Sequence, residues 1–372
     1  MKKSITKYII PIIMFVIVTV LYKWYSEKQN RLELSDNYKQ IKNYLLNNTD
    51  LENNSKPILW IHLPYEYNSR NWQSFGSRSS TNLNQPYLLL TIKSIIYNCE
   101  KSFKICLIDD NSYSKLIPDW KVDMKTISSP ILDNMRQLGL MKLIYIYGGL
   151  ICPISFLCMK NLIGMYEKGT QNNKMFMCEN NDKNITSTKY QFYPDMSFLG
   201  SNKDNKMIKK IIKNIEYVNL TDNTSQSIFL GNNNRFCQEN IKNNNIILIN
   251  GKEIGIKTKY DMPIKVEDLM SQKSIDLCHK TYGIYIPADD ILKRRRYEWF
   301  SRLSEKQVLE SDTIIGKYLL LSTTQIEQPA ILKPLEIKPT WLGFWKTPLV
   351  TLYGLKPNFL GDNLQHDKNP TY

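Results

Sequence analysis

Between Lys7 and Lys23 the chain carries no charge from Tyr8 to Tyr22, a run dominated by isoleucine, valine and other apolar residues. Such a stretch is retained in a bilayer, cleaved off, or buried in a soluble core. It is shorter than the roughly 20 residues of a membrane-crossing helix, but Trp24 and Tyr25 can sit at the headgroups while the stems of Lys7 and Lys23 snorkel. A secretory signal peptide shares the basic start and the apolar run, yet it needs a small-x-small cleavage site, and the segment Tyr22 to Tyr25 is bulky. The expectation is therefore a retained anchor over 8–25, preceded by a short tail at 1–7.

Orientation rests on less. Lys2, Lys3 and Lys7 precede the span and Lys23, Lys28 and Arg31 follow it, so the positive-inside balance is near neutral. General single-span topology favours type II: a small cytoplasmic tail with the body lumenal or extracellular. Five sequons, beginning at Asn47, Asn53, Asn184, Asn219 and Asn223, would permit glycosylation there, although an asparagine-rich chain acquires several by chance.

Residues 26–56 are polar and rich in asparagine, which reads as a stalk with a helical patch from Tyr38 to Leu46. The remaining body, 57–362, is large enough for one substantial core, and 363–372 reads as a loose tail. The formal charge of +14 comes from lysines spread along the chain. Charge of this kind attracts anionic headgroups, sugar nucleotides or nucleic acid. Without an arginine-aromatic recognition motif it is a weak basis for a nucleic-acid partner. Seven cysteines (99, 106, 152, 158, 178, 237 and 278) form no CxxC pair, and His62, His279 and His366 lie far apart, so no zinc spacing is present.

The body opens as strand, helix, strand. Ile58–Ile61 is a short apolar run. Pro86 starts a helix that stacks Leu88, Leu89, Ile92, Ile95, Ile96 and Cys99 on one stripe, and Phe103–Ile108 is a second apolar run closed by Asp109 and Asp110. A further helix spans 130–147, capped by Ser129 and stopped at Gly148 and Gly149. Leu150–Cys152 and Lys174–Cys178 read as strands, Asn205–Ile215 as an amphipathic helix, and Asn240–Asn250 as a hairpin or loop. The basic run Lys293–Arg296 reads as a helix coating beside Tyr297, Trp299 and Phe300, and Trp341, Phe344 and Trp345 mark the distal part. Repeated units of this kind predict an α/β fold with a mainly parallel sheet.

Several of these phrases stand in the order found in glycosyltransferases of the capsular-polysaccharide-synthesis and mannosyltransferase-like type. Pro57–His62 resembles their first strand, Gln85 to Ser94 the proline-led helix after it, and Ile105–Asp110 the second strand with its acidic end. Ser112 to Trp120 resembles the turn and short helix that follow, and Leu143–Gly149 the helix end and double glycine before the metal-binding strand. The resemblance covers 57–160, with a weaker extension to 231. It implies a nucleotide-diphospho-sugar transferase (GT-A-like) fold with a mixed, mainly parallel sheet and flanking helices. It also implies transfer of a sugar from a nucleotide-diphosphate donor to a glycan, protein or other hydroxyl acceptor.

The chain departs from that family after Gly149. Where the family places an aspartate, commonly followed two positions later by another acidic or small polar residue, this sequence has Pro153 and Ser155. Neither supplies the hard anionic oxygen that Mg2+ or Mn2+ requires, so a divalent ion enters only if acidic residues elsewhere replace the motif. The aspartate and arginine that the family carries in the preceding helix align here with Gln137 and Leu140, while Asp133 and Arg136 lie one turn upstream. These losses make a catalytically degenerate glycan-binding or protein-interaction module the alternative to an active enzyme.

The candidate residues follow. Asp109 and Asp110, at the carboxyl end of a strand, with His62 and Arg136, are donor-side candidates. Their bland reading is caps and structural pairs. Asp195 and Glu179 are candidates for the carboxylate that deprotonates an acceptor hydroxyl. Asp289 and Asp290 are possible distal metal ligands, with helix capping as the ordinary alternative. Arg294 to Arg296 could contact phosphate or simply coat a helix.

Overall fold

The computed structural model describes residues 18–22, 56–64, 85–127, 131–181, 191–221, 231–294 and 296–324. The chain divides into two compact units, Met1–Leu46 and Asn47–Tyr372. In the first, residues 18–22 are helical, with Val18, Val20, Leu21 and Tyr22 exposed. Among the described residues no helix is long and apolar enough to cross a membrane. Apart from those five residues, the expected anchor at 8–25 lies outside the described part. So do nearly all of the stalk, the helical patch at Tyr38–Leu46, Ser129, Arg295, the aromatic residues at 341–345, the tail and every sequon asparagine except Asn219.

The second unit is a mixed α/β domain. Its central sheet holds β1 (Ile58–His62), β2 (Lys104–Ile108), β3 (Gly149–Ile151), β5 (Met175–Asn181), β6 (Phe192–Ser201) and β7 (Ile246–Ile249), in the order β2-β1-β3-β6-β5-β7. β1 runs parallel to β2 and β3, β6 runs against β3 and β5, and β5 and β7 are parallel. Five strands therefore share one direction and β6 opposes them. β4 (Phe156–Cys158) and β8 (Gly283–Tyr285) form a separate antiparallel pair.

β1 and β2 are buried on both faces, so they read as continuous apolar runs rather than alternating ones. The connections are helical: α1 (Leu88–Cys99), the short α2 (Tyr113–Leu116), α3 (Ile131–Tyr147), α4 (Ile163–Gly169), α5 (Lys206–Leu220) and α6 (Asn232–Lys242). α5 carries its own start signal, since the Asn205 side chain accepts from the amides of Met207 and Ile208. It buries Met207, Ile208, Ile211, Ile212 and Ile215.

Residues 240–250 are not a hairpin. α6 ends at Lys242 and β7 pairs parallel with β5, residue Met175 opposite Ile246. A parallel neighbour needs a crossover, and the helix that supplies it is polar over most of its length, which hid it from an apolar pattern.

Downstream, α7 (Val266–Leu269), α8 (Ala288–Lys293), α9 (Glu298–Ser301), α10 (Glu305–Leu309) and α11 (Ile314–Thr324) are mostly short. They share a core with Tyr87, Leu88 and Leu90 at the start of α1 and with Leu157 of β4. Tyr87 packs on Phe300 with ring centroids 5.2 Å apart. Trp299 and Phe300 are therefore buried parts of that core, and the basic run does not form one helix with them.

Candidate functional site

The order β2-β1-β3 places a topological switch between β1 and β3, because the chain leaves β1 to one side for β2 and returns on the other for β3. In open α/β sheets the crevice beyond the carboxyl ends of such strands is where ligands bind. Here that edge is built by His62 at the end of β1, Asp109 and Asp110 after β2, and Cys152 to Ser155 after β3. Because β6 is reversed, its beginning rather than its end reaches the same edge, and brings Asp195 with it.

His62, Asp110 and Arg136 come together. The Asp110 carboxylate meets His62 Nε2 at 2.8 Å through Oδ1. Arg136, from the middle of α3, donates from Nε at 3.0 and 3.2 Å and from Nη2 at 2.8 Å, gripping both oxygens. Its Nη1 stands 3.8 Å from Asp133. Burial alone would raise the Asp110 carboxyl, but the hydrogen bonds of His62 and Arg136 and the attraction of the Arg136 guanidinium outweigh it and hold it at about 2. Arg136 is therefore the residue of this helix that reaches the sheet edge, whereas Gln137 accepts from Asn233 Nδ2 at 3.1 Å.

Tyr113 was not singled out by sequence and belongs to this cluster. Its ring stacks on His62 with centroids 5.6 Å apart, and its hydroxyl donates to the Arg136 carbonyl at 3.3 Å. Three residues beyond the acidic pair and at the start of a helix, it carried only a spacing signal. Asp109 does something else. Its Oδ1 accepts from the amide and the hydroxyl of Ser112, whose Oγ accepts from the Asp109 amide in return, so it organises the turn into α2.

Pro153 and Ser155 lie in the link between β3 and β4, and that link is stitched into the surrounding packing. The Cys152 amide donates to the Trp60 carbonyl at 3.0 Å, Thr91 Oγ1 donates to the Ile154 carbonyl at 2.6 Å, and the Ile286 amide donates to the Ser155 carbonyl at 3.1 Å. Ser155 is buried.

The two carboxylates expected near the acceptor are separated in role. Glu179 forms a buried ion pair with Lys257 at 2.6 Å and accepts the Gly251 amide at 2.9 Å, while the Lys257 ammonium stands 3.9 Å above the Phe192 ring. Asp195 accepts from the Ser197 amide (2.7 Å), the Ser197 hydroxyl (2.6 Å) and Asn180 Nδ2 (2.8 Å). These bonds close a bulge in β6: Met177 pairs with Leu199 and the next residue, Cys178, pairs with Asp195. Burial pushes the Asp195 carboxyl above the ordinary range, against the lowering effect of its three donors. Tyr285, which pairs with Phe156 across β4 and β8, lies beside Asn180 and Ser197, so this polar group adjoins the link that holds Ser155.

Asp289 and Asp290 occupy the first turn of α8, where carboxylates favour the helix dipole. Asp290 pairs with Arg294 at 3.3 Å, and Arg294 also reaches Glu267 at 2.7 Å. The basic run thus spends Arg294 on ion pairs. Among the described residues no three of His, Cys, Asp and Glu converge in a way that could hold a metal ion. No family model, curated protein or solved structure matches the chain.

Proposed function

We propose that the body is a nucleotide-diphospho-sugar-binding domain of the glycosyltransferase type, tethered to a bilayer through 8–25, which transfers a sugar from its donor to a hydroxyl of a glycan or protein. The observation that carries this reading is the convergence of His62, Asp110 and Arg136, from three separate elements, at the switch-point edge of a mixed sheet. Asp110, ionised down to about pH 2, fixes an imidazole and a guanidinium where a diphosphate would lie. Asp195, with its carboxyl pushed up by burial, is the proton acceptor for the incoming hydroxyl. Exposure of Val18, Val20, Leu21 and Tyr22 on a helix agrees with contact between that segment and lipid.

Pro153 and Ser155 offer no carboxylate, so charge on the departing diphosphate falls to His62 and Arg136. Mg2+ or Mn2+ has a place only if carboxylates such as Asp289 and Asp290 are recruited to a bound donor. The test is a calorimetric titration of the full chain in detergent with uridine, guanosine and cytidine sugar nucleotides, with and without Mn2+. Binding of at least one donor, weakened tenfold or more in Arg136→Met, supports the reading. No binding across the panel overturns it.

That second outcome would favour a noncatalytic glycan-binding or interaction module, for which one observation speaks. The backbone of the Pro153–Ser155 link is engaged by Thr91 and Ile286 in packing rather than turned toward a ligand.

A further inference from the structure

Cys99 ends α1 and Cys158 ends β4, and their sulfur atoms stand 3.9 Å apart. Both side chains are fully buried. Among the described residues no other two cysteine sulfurs are in contact, and Cys106, Cys152, Cys178, Cys237 and Cys278 are also reduced. The backbone around Cys158 is fastened to α1 from both sides. Its amide donates to Ser94 Oγ at 2.9 Å and its carbonyl accepts from Asn98 Nδ2 at 3.1 Å. With the two segments already in register, closing to the roughly 2.05 Å of a disulfide falls to the side chains.

We propose that Cys99 and Cys158 form a disulfide when the chain folds in an oxidising compartment, cross-linking α1 to β4. This rests on the geometry of the pair and not on the sugar-transfer reading. In the folded chain the two thiols differ in acidity. A hydrogen bond from Cys158 draws the Cys99 thiol down, whereas burial pushes Cys158 up.

The oxidant is a carrier disulfide, of glutathione or of an oxidoreductase, met before α1 has covered β4. The Cys99 thiolate attacks one carrier sulfur, forms a mixed disulfide and releases one carrier thiolate. Cys158, losing its proton to solvent, then attacks the Cys99 sulfur and releases the second carrier thiolate. Both carrier thiolates take up protons, so two chain thiols and one carrier disulfide become one chain disulfide and two carrier thiols.

The loop so closed spans the 59 residues of sequence separation and contains β2, α2, α3 and β3, the elements that assemble His62's partners. Its closure restricts the unfolded chain more than it alters the fold.

The experiment is to refold the full chain from denaturant in mixed oxidised and reduced glutathione, quench in acid, alkylate under denaturing conditions and map peptides by mass spectrometry. The expected result is a dominant Cys99–Cys158 linked peptide, with a Tm about 5 °C or more above that of the reduced chain. That gap should vanish in the double variant Cys99→Ala, Cys158→Ala. Alkylation of both cysteines in the folded product, their linkage to any of the other five, or a Tm gap that survives in the double variant would overturn the proposal.

Discussion

Arg136 grips Asp110 with two edges of its guanidinium, Nε and Nη2, so that a residue from the middle of a helix is tied to the end of a strand 26 positions earlier. His62 completes the arrangement from a third element. Removing the carboxylate leaves a nearly buried guanidinium without its counter-charge. Asp110→Ala is expected to lower unfolding stability by about 2–4 kcal/mol, measured by urea denaturation at pH 7. A change within about 0.5 kcal/mol would show that the cluster holds nothing together.

Asp110 and Asp195 should bend the stability curve in opposite directions. The folded-state carboxyl of Asp110 is depressed to about 2, so its contribution is present above the unfolded value near 3.8 and is lost as pH falls toward 2. Asp195 is raised, so its contribution is present below the unfolded value and is lost as pH rises through the folded one. Urea midpoints taken from pH 2 to pH 7 should therefore rise less with pH in Asp110→Asn than in the parent chain, and more in Asp195→Asn. Equal slopes in all three proteins would contradict the burial and pairing described for both groups.

Among the described residues Glu179 and Lys257 form the most enclosed ion pair, with 12% and 9% of their side chains exposed. Lys257→Met should cost about 3–5 kcal/mol by stranding Glu179, and adding Glu179→Gln should restore part of that loss. Two single effects that simply add would mean that the pair is not coupled.

Gly149 has φ of +109°, and a Cβ there would stand 2.2 Å from the carbonyl oxygen of Ile58. Its neighbour Gly148 has φ of +70° and accepts the Trp60 indole N–H at 3.0 Å through its carbonyl. Gly149→Ala must push β1 away from β3 at the centre of the sheet. A loss of about 3 kcal/mol or more is expected, read as a collapse of the cooperative thermal transition. An unchanged transition would mean that β1 and β3 are not so closely apposed.

Asn219 opens the one sequon whose asparagine is described. Its side-chain oxygen accepts from Asn134 Nδ2 at 3.1 Å and its amide reaches the Met135 sulfur at 3.4 Å, so the sequon is folded onto α3. In protein produced through a secretory pathway, the folded fraction should carry no glycan at Asn219, as judged by intact-peptide mass spectrometry. Folded protein with a sugar on that nitrogen would be incompatible with this packing.

Much of the first half of the domain could be read directly. Ile58–Ile61 and Phe103–Ile108 are continuous apolar runs because both faces of those strands are covered, and the helix between them shows a stripe, although its first turns are covered on a second side by the distal core that takes in Leu88 and Leu90. β6 left no such trace. It carries Pro194 and Asp195 near its start and a bulge after them, which break both alternation and apolar continuity. At the site, the placement of Asp110 and His62 followed from their strand ends, and Arg136 from a helical register one turn away. Tyr113, Lys257, Asn180 and Tyr285 could not be read, because what gives each its role is a partner distant in sequence.

The sheet also imposes a schedule on synthesis. β1 sits between β2 and β3, and Trp60, fully buried, pairs in register with Ile151. A ribosome adding about 5–20 residues per second would leave that tryptophan without its second neighbour for ~5–20 s after it emerges. During that interval Ile58–Ile61 is an apolar edge open to any other strand. Whatever chaperones or membrane surface the nascent chain meets must keep this one segment apart until the double glycine arrives to close over it.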